Sequence, residues 1–300
     1  MHVGNWQIDM INGGTFWLDG GVMFGVVPRS LWGGVVAPDA ANRIACANNC
    51  VLARDGTHTV LIDTGYGGKF SPLDRKFYVM ESGEPLLDSL HALGVAPEDV
   101  DTMVFSHLHF DHVCGATRFD AQKRRVPIFS RARHLVGRWE WEDATGGSPE
   151  LTTAYPMDDI LPLYEAGLMM VVDDGHEIVP GLRCQVTGGH TRGHMALFFE
   201  SGGQTAAYLG DICPSTAHMR RMWHLGYDTY PLDTRRRKPE FLGRAADEGW
   251  WILWNHDPRT VISRVARDPK REFVPVERTP RMPTAQTPTN DAISAQVVGE

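Results

Sequence analysis

Several things are scarce in this 300-residue sequence, and each shortage argues against a class of protein. The five cysteines, Cys46, Cys50, Cys114, Cys184 and Cys213, are odd in number, scattered and never in C-x-x-C spacing. That argues against a disulfide framework and for free thiols in a reducing compartment. Positive charge is also short. With 29 Lys+Arg against 37 Asp+Glu the net charge is -8, which gives a general nucleic-acid-binding role no electrostatic support. The main basic cluster, Arg235-Arg236-Arg237-Lys238, reads as the solvated start of a helix rather than a polyanion site. No apolar run approaches the roughly 20 residues that span a bilayer. The first residues, "MHVGNWQIDM", lack the basic-then-apolar pattern of a leader. Repeats and domain-splitting linkers are absent as well. The expectation is a soluble cytoplasmic protein, with one domain over residues 1–276 and no nucleic-acid or membrane partner.

What the sequence does have is short apolar runs that end in Gly, Asp or His. "VLIDTG" (60–65), "TMVFSH" (102–107), "LMMVVDD" (168–174), "LRCQVTGG" (182–189), "ALFFES" (196–201), "TAAYLGD" (205–211) and "WWILWNHD" (250–257) read as strands with polar chemistry at their ends. Helical patterns lie between them, at 84–94 closing on Gly94, at 130–144 and at 234–249, where Pro239 suits a first turn. Strands mixed with helices along the whole length predict sheet layers covered by helices. Residues 13–36 combine many glycines with Phe16, Trp17, Met23, Phe24 and Trp32. They read either as a strand pair with core aromatics or as a long loop walling a pocket. From about Glu277 the Pro-, Thr- and Ala-rich tail has little to bury and is expected to be disordered.

One stretch stands out. "SHLHFDHVCG" (106–115) crowds three histidines and an aspartate into six positions right after an apolar strand. On a strand, residues i and i+2 share a face, so His107 and His109 can aim two imidazoles at one point. Asp111 and His112 follow where the backbone turns near Gly115, and can aim at a second point. Imidazole with carboxylate suits zinc, manganese, iron or cobalt. His190 and His194 in "VTGGHTRGH", Asp211 in "YLGD", and His256 and Asp257 in "LWNHD" end other predicted strands. Together these residues suffice for two metal ions.

The intact H-x-H-x-D-H of His107, His109, Asp111 and His112, with the ordered distal residues, resembles the metallo-β-lactamase superfamily from "VLIDTG" to "WNHD". That resemblance implies an α/β, four-layer αββα sandwich with its site at one edge of two sheets. It implies that His107, His109 and His190 hold one divalent ion and that Asp111, His112 and His256 hold a second, with Asp211 bridging. His194 and Asp63 would support the ligands from behind. Gly188 and Arg192 stand where that family usually has prolines, beside ligands but not in their place.

Two such ions can share an activated water and polarise the carbonyl or phosphoryl oxygen it attacks. Asp111 would then take up the proton, and Tyr227 or His218 would protonate the leaving oxygen. Cys114, next to the motif, reads as a packed thiol. Phe24, Trp32 and Trp223 suggest an apolar, aromatic substrate pocket, which fits a neutral ester or lactone. Within the superfamily the sequence looks most like the N-acyl homoserine lactonase and methyl parathion hydrolase branch, but Pro214 replaces the tyrosine found in the lactonases three residues after the bridging aspartate. The expected activity is hydrolysis of a lactone, an aryl ester or a phosphotriester by a protein carrying two divalent ions, zinc foremost, and forming a homodimer. Glyoxalase-II-like thioesterase, mononuclear iron dioxygenase, nuclease and non-catalytic metal-binding module are the alternatives weighed against it.

Overall fold

The structure, a computed structural model, describes residues 1–151 and 153–281. The strands of the first half are β1 (His2–Val3), β2 (Trp6–Asp19), β3 (Arg43–Arg54), β4 (Thr59–Ile62) and β5 (Thr102–Val104). An outlying hairpin of β6 (Thr117–Phe119) and β7 (Arg125–Pro127) follows, then β8 (Arg133–Gly137) and β9 (Met169–Val172). All but the hairpin form one seven-stranded sheet in the order β1-β2-β3-β4-β5-β8-β9. The second half supplies β10 (Glu177–Val179), β11 (Leu182–Val186), β12 (Met195–Ser201), β13 (Gln204–Tyr208), β14 (Trp251–Leu253), β15 (Thr260–Asp268) and β16 (Glu272–Pro280), paired in that order. The run β4, β5, β8, β9 is parallel, and so is β13 with β14. Parallel neighbours need long crossovers, and these bring in helices and site loops.

The helices are α1 (Gly20–Phe24), α2 (Arg29–Trp32), α3 (Pro72–Phe77), α4 (Pro85–Ala92), α5 (Phe110–Val113), α6 (Arg138–Thr145), α7 (Met157–Glu165) and α8 (Pro231–Glu248). Side-chain alternation on the strands assigns the layers. Val60 and Ile62 enter the core between the sheets with Leu197, Phe199 and Tyr208. Leu61, between them in sequence, packs outward with Leu86 and Leu90 of α4 and Ile160 and Leu163 of α7. On the far sheet, Ala207 and Ile252 face Phe241, Leu242 and Ala245 of α8. The result is the four-layer αββα sandwich. Inner strands such as β4 and β12 are covered on both faces, which is why they read as near-continuous apolar runs. Among the described residues no helix is long and apolar enough to cross a membrane.

Four expectations change. Residues 130–144 are not one helix: β8 occupies Arg133–Gly137 and α6 starts only at Arg138. β8 pairs parallel with β5 and β9, so sheet pairing overrides a sequence pattern that local propensity cannot resolve. Pro239 lies inside α8, whose first-turn proline is Pro231. An interior proline costs about 3 kcal/mol, and burial of Phe241 and Leu242, at about 1.5–3 kcal/mol each, offsets it. Only Arg236 and Arg237 of the basic cluster face outward, pairing with Asp233 and Glu240. Lys238 is fully buried and donates to the Trp223 carbonyl, while Arg235 reaches His224 at 2.9 Å. Finally, Glu277 to Pro280 belong to β16, which pairs with β15. The rest of the expected tail, from 282, lies outside the described residues.

Candidate metal centre

The polar residues sit just past strand ends, on loops at one edge of the sandwich. Asp63 follows β4, the 106–112 segment follows β5, His190 lies between β11 and β12, Asp211 follows β13 and His256 follows β14. Convergence from five strand ends depends on tight backbone. Asp63 adopts φ 55°, uncommon for a residue with a side chain, and four donors hold it there. Ser106 N–H (2.8 Å), Ser106 Oγ (2.7 Å), His112 Nδ1 (2.8 Å) and the Tyr208 hydroxyl (2.8 Å) all reach its carboxylate. Gly210, at φ 54°, leaves room where a Cβ would stand 2.5 Å from His194 Nε2.

These contacts fix which nitrogen each ring turns inward. His112 donates through Nδ1 to Asp63, His190 through Nδ1 to Asp228 Oδ1 at 2.9 Å, and His256 through Nδ1 to the Ala47 carbonyl at 2.8 Å. His107 Nδ1 lies 3.1 Å from Ser106 Oγ. Each therefore turns Nε2 toward the centre. Ligand atoms of His107, His109 and His190 lie within 4.8 Å of one another. So do those of Asp111, His112 and His256, and those of His107, His112 and Asp211. Asp211 spans the two sides: Oδ2 is 3.3 Å from His190 Nε2 and Oδ1 is 3.0 Å from His256 Nε2. Further polar contacts include His190 Nε2 to His109 Nδ1 at 3.0 Å and His256 Nε2 to Asp111 Oδ2 at 3.4 Å.

The electrostatics fit a cation. Burial and the neighbouring rings hold His107 and His109 well below the usual imidazole range. Burial also opposes charge on His112, but Asp111, Asp63 and Asp211 overcome it and push that ring up to about 10. His190 and His256 are raised against burial, chiefly by Asp211. Asp211 resists burial through His256, His190 and His112, and stays well below the carboxylate range. The carboxylates thus draw positive charge onto nitrogens aimed at a common point. Nε2 of His107 and Nε2 of His112 are buried without a hydrogen-bond partner, a cost of about 1–3 kcal/mol each that a coordinated ion removes. Imidazole nitrogens with carboxylate oxygens are the donors that zinc, manganese, iron and cobalt accept.

The expected supporting and substrate residues divide sharply. His194 faces Thr187 Oγ1 through Nδ1 at 2.6 Å and accepts the Asp211 N–H on Nε2 at 3.0 Å. It holds the Asp211 loop and keeps no nitrogen for a metal. Tyr227 packs its ring 5.4 Å from that of His190, with its hydroxyl 3.5 Å from Met23 Sδ. His218 does not serve as a proton donor to substrate, because both nitrogens are taken: Nε2 donates to the Met23 carbonyl at 2.9 Å and Nδ1 accepts from Ser215 Oγ at 2.7 Å. Phe24, Trp32 and Trp223 are not pocket walls either. They bury themselves in a satellite core, with Phe24 stacked on Trp32 at 5.2 Å and on His218 at 4.6 Å. The chain at 13–36 is the end of β2 followed by α1 and α2, neither a strand pair nor a free loop. The cavity of about 130 Å³ beside His256 is walled instead by Trp17, Met23, Val36, Ile44 and Cys46. Cys114 is a buried free thiol.

Sequence reasoning passed over three residues that shape the centre. Asp228 orients His190, and Asn255 Nδ2 donates to Asp211 Oδ1 at 2.5 Å. Glu140, fully buried on α6, accepts from Leu108 N–H at 2.9 Å and from Thr191 Oγ1 at 2.5 Å. It thereby links the His107–His109 strand end to the His190 loop. A single acid in "WEWEDA" carries no local mark of such a role. Asp228 had a faint one, as the neighbour of Tyr227 in a segment already marked for the site.

Comparison with known proteins shows the family and the fold. The sequence matches the metallo-beta-lactamase superfamily over residues 43–242. It is 30% identical to an N-acyl homoserine lactonase of Bacillus thuringiensis over 163 residues, 51% of this chain and 58% of that protein. The match thus spans little more than half the length of that relative. AttM, an N-acyl homoserine lactonase of Rhizobium radiobacter, is 24% identical over 223 residues, 68% of this chain and 76% of that one. The structure of a probable metal-dependent hydrolase from Staphylococcus aureus superposes with a TM-score of 0.86 at 28% identity, over 95% of this chain and 100% of that chain. AidC, described as a dizinc quorum-quenching lactonase, superposes with a TM-score of 0.74 over 95% of this chain and 97% of that chain; at 19% identity its likeness is one of fold. On sequence and architecture together, this chain belongs to the metallo-beta-lactamase superfamily.

Proposed function

We propose that the protein hydrolyses carboxylic esters, lactones and aryl esters foremost, with two divalent metal ions bound. One observation carries this reading: the two oxygens of Asp211 reach toward two separate sets of ligand atoms. His107, His109 and His190 would hold one ion, and Asp111, His112 and His256 the other, with Asp211 between them. When bound, such a pair supplies a water activated near neutral pH and Lewis-acid polarisation of the substrate oxygen. Asp111 lies beside both His112 and His256, where its carboxylate can accept the proton of an attacking water. The Tyr227 phenol is raised well above its ordinary range by burial and by Asp211 and Asp111, so it stays protonated and can donate to the leaving oxygen. The cavity wall of Trp17, Met23, Val36 and Ile44 excludes water from the acyl side. Zinc, manganese, iron and cobalt all suit the donor set.

Elemental analysis together with a substrate panel tests the reading. Purified protein should carry close to two transition-metal ions per chain. Chelator stripping should abolish turnover of lactones and aryl esters, and zinc or manganese should restore it. One tightly bound iron per chain, or turnover confined to thioesters or phosphotriesters, would sink the proposal.

A further inference from the structure

The cavity beside His256 is apolar along much of its wall, and Thr216, Asp257 and Arg259 contribute a polar rim. The two charges of that rim are not equivalent. Asp257 is buried. Its Oδ1 accepts from Arg259 N–H at 2.9 Å and Thr260 N–H at 2.8 Å, and its Oδ2 accepts from Thr216 N–H at 3.0 Å and Thr216 Oγ1 at 2.5 Å. Four donors occupy this carboxylate, which pins together the loops after Asp211 and after His256. Arg259 is exposed, and among the described residues no acidic side chain pairs with its guanidinium. Arg183, Arg192 and Arg267, by contrast, each face a carboxylate. The Arg259 backbone is held on both sides, by Asp257 at its N–H and by the Arg281 N–H donated to its carbonyl at 2.8 Å. An anchored loop thus presents an unpaired cation at the mouth of a cavity that touches the metal centre through His256. In a chain of net charge -8, that cation is a local reversal of field which favours an incoming anion.

We infer that the cavity takes an ester or lactone whose acyl chain ends in a carboxylate, and that Arg259 is the specificity-determining residue for that carboxylate. The inference rests on the ester-hydrolase reading and narrows its substrate class. The guanidinium fork matches the two carboxylate oxygens, while Trp17, Val36 and Ile44 cover the methylenes. A neutral chain of equal length makes the apolar contacts and forfeits the charged one.

The test compares para-nitrophenyl hexanoate with the mono-para-nitrophenyl ester of adipic acid, two chains of equal length that differ in the terminal carboxylate. The metal-loaded wild type should favour the adipate ester by about tenfold in kcat/KM, through KM, as expected for a hydrogen bond to a charged group. Added salt should shrink that preference. Arg259→Met should bring the ratio near one, and Arg259→Glu should invert it, with hexanoate turnover close to wild type in both. An unchanged ratio in Arg259→Met, or a wild-type preference for hexanoate, overturns the inference while leaving ester hydrolysis standing. If neither ester turns over, the aryl-ester part of that reading fails. Arg259 is then judged by calorimetric binding of adipate, which should exceed that of hexanoate in the wild type and lose its advantage in Arg259→Met.

Discussion

The metal-facing edge and the aromatic wall beside it are built on opposite principles. At the edge, direction matters: the rings of His112, His190 and His256 are each held by a hydrogen bond from the nitrogen facing away from the centre. The wall formed by α1, α2 and the 212–230 segment is held mostly by packing, with Phe24 between Trp32 and His218. On its outside the α1–α2 stretch leaves Val22, Val26, Leu31 and Val35 exposed. Hydrogen bonds specify positions to a few tenths of an ångström, whereas aromatic packing tolerates substitution of similar volume. One region holds the candidate ligands in fixed directions, and the other packs behind the cavity, where substitutions of similar volume are tolerated.

The largest effect should come from the atom group shared by both metal sides. Asp211→Ala should lose one metal ion and on the order of a thousandfold in kcat/KM, with thermal unfolding still cooperative. Aryl ester turnover that survived this change would show that Asp211 does not bridge. A smaller effect should follow from removing a carboxylate one step behind a ligand. Asp228, lowered to about 2 against burial by its bond to His190 and by nearby His224, orients His190 from behind. Asp228→Ala should weaken metal binding by about 10–100-fold in a chelator-competition titration. Equal affinity in the variant would mean that packing alone holds His190, and the contrast between the two regions would dissolve.

The two regions were also unequally legible from sequence. His107, His109, Asp111 and His112 lie within six positions at a strand end, so a local pattern reveals them. His190, Asp211 and His256 follow apolar strands whose ends could be read one by one. Glu140 and Asp228 could not be found that way, because each acts through one long-range contact and nothing beside it in sequence shows its burial. Phe24, Trp32 and Trp223 misled for the reverse reason: an aromatic side chain looks the same in sequence whether it lines a pocket or fills the core behind one. β3 and the start of β2 were missed because their core residues are interspersed with Asn12, Asn48 and Asn49, which broke the apolar run. Asn49 is there to hold the His256 loop, donating through Nδ2 to the Trp254 and Asp257 carbonyls at 2.9 Å each.

The packed wall nevertheless contains one directional element, and acid should expose it. His218 is buried, and burial pushes its ring down to about 3, so in the folded protein it stays neutral, donating to Met23 and accepting from Ser215. An unfolded chain protonates the same ring near the ordinary value of about 6.5. The folded pKa is the depressed one, so the stability is fully present above about 6.5 and declines as pH falls below it toward 3. Over that window this residue contributes a slope of about 1.4 kcal/mol per pH unit. Gln at position 218 can keep both hydrogen bonds and cannot titrate. Urea unfolding of His218→Gln at a series of pH values should therefore give a curve flatter than wild type by about one proton below pH 6.5, parallel to it above. Curves that stay parallel down to pH 4 would mean that the ring already reaches water in the folded state, and that the wall is more open than its packing implies.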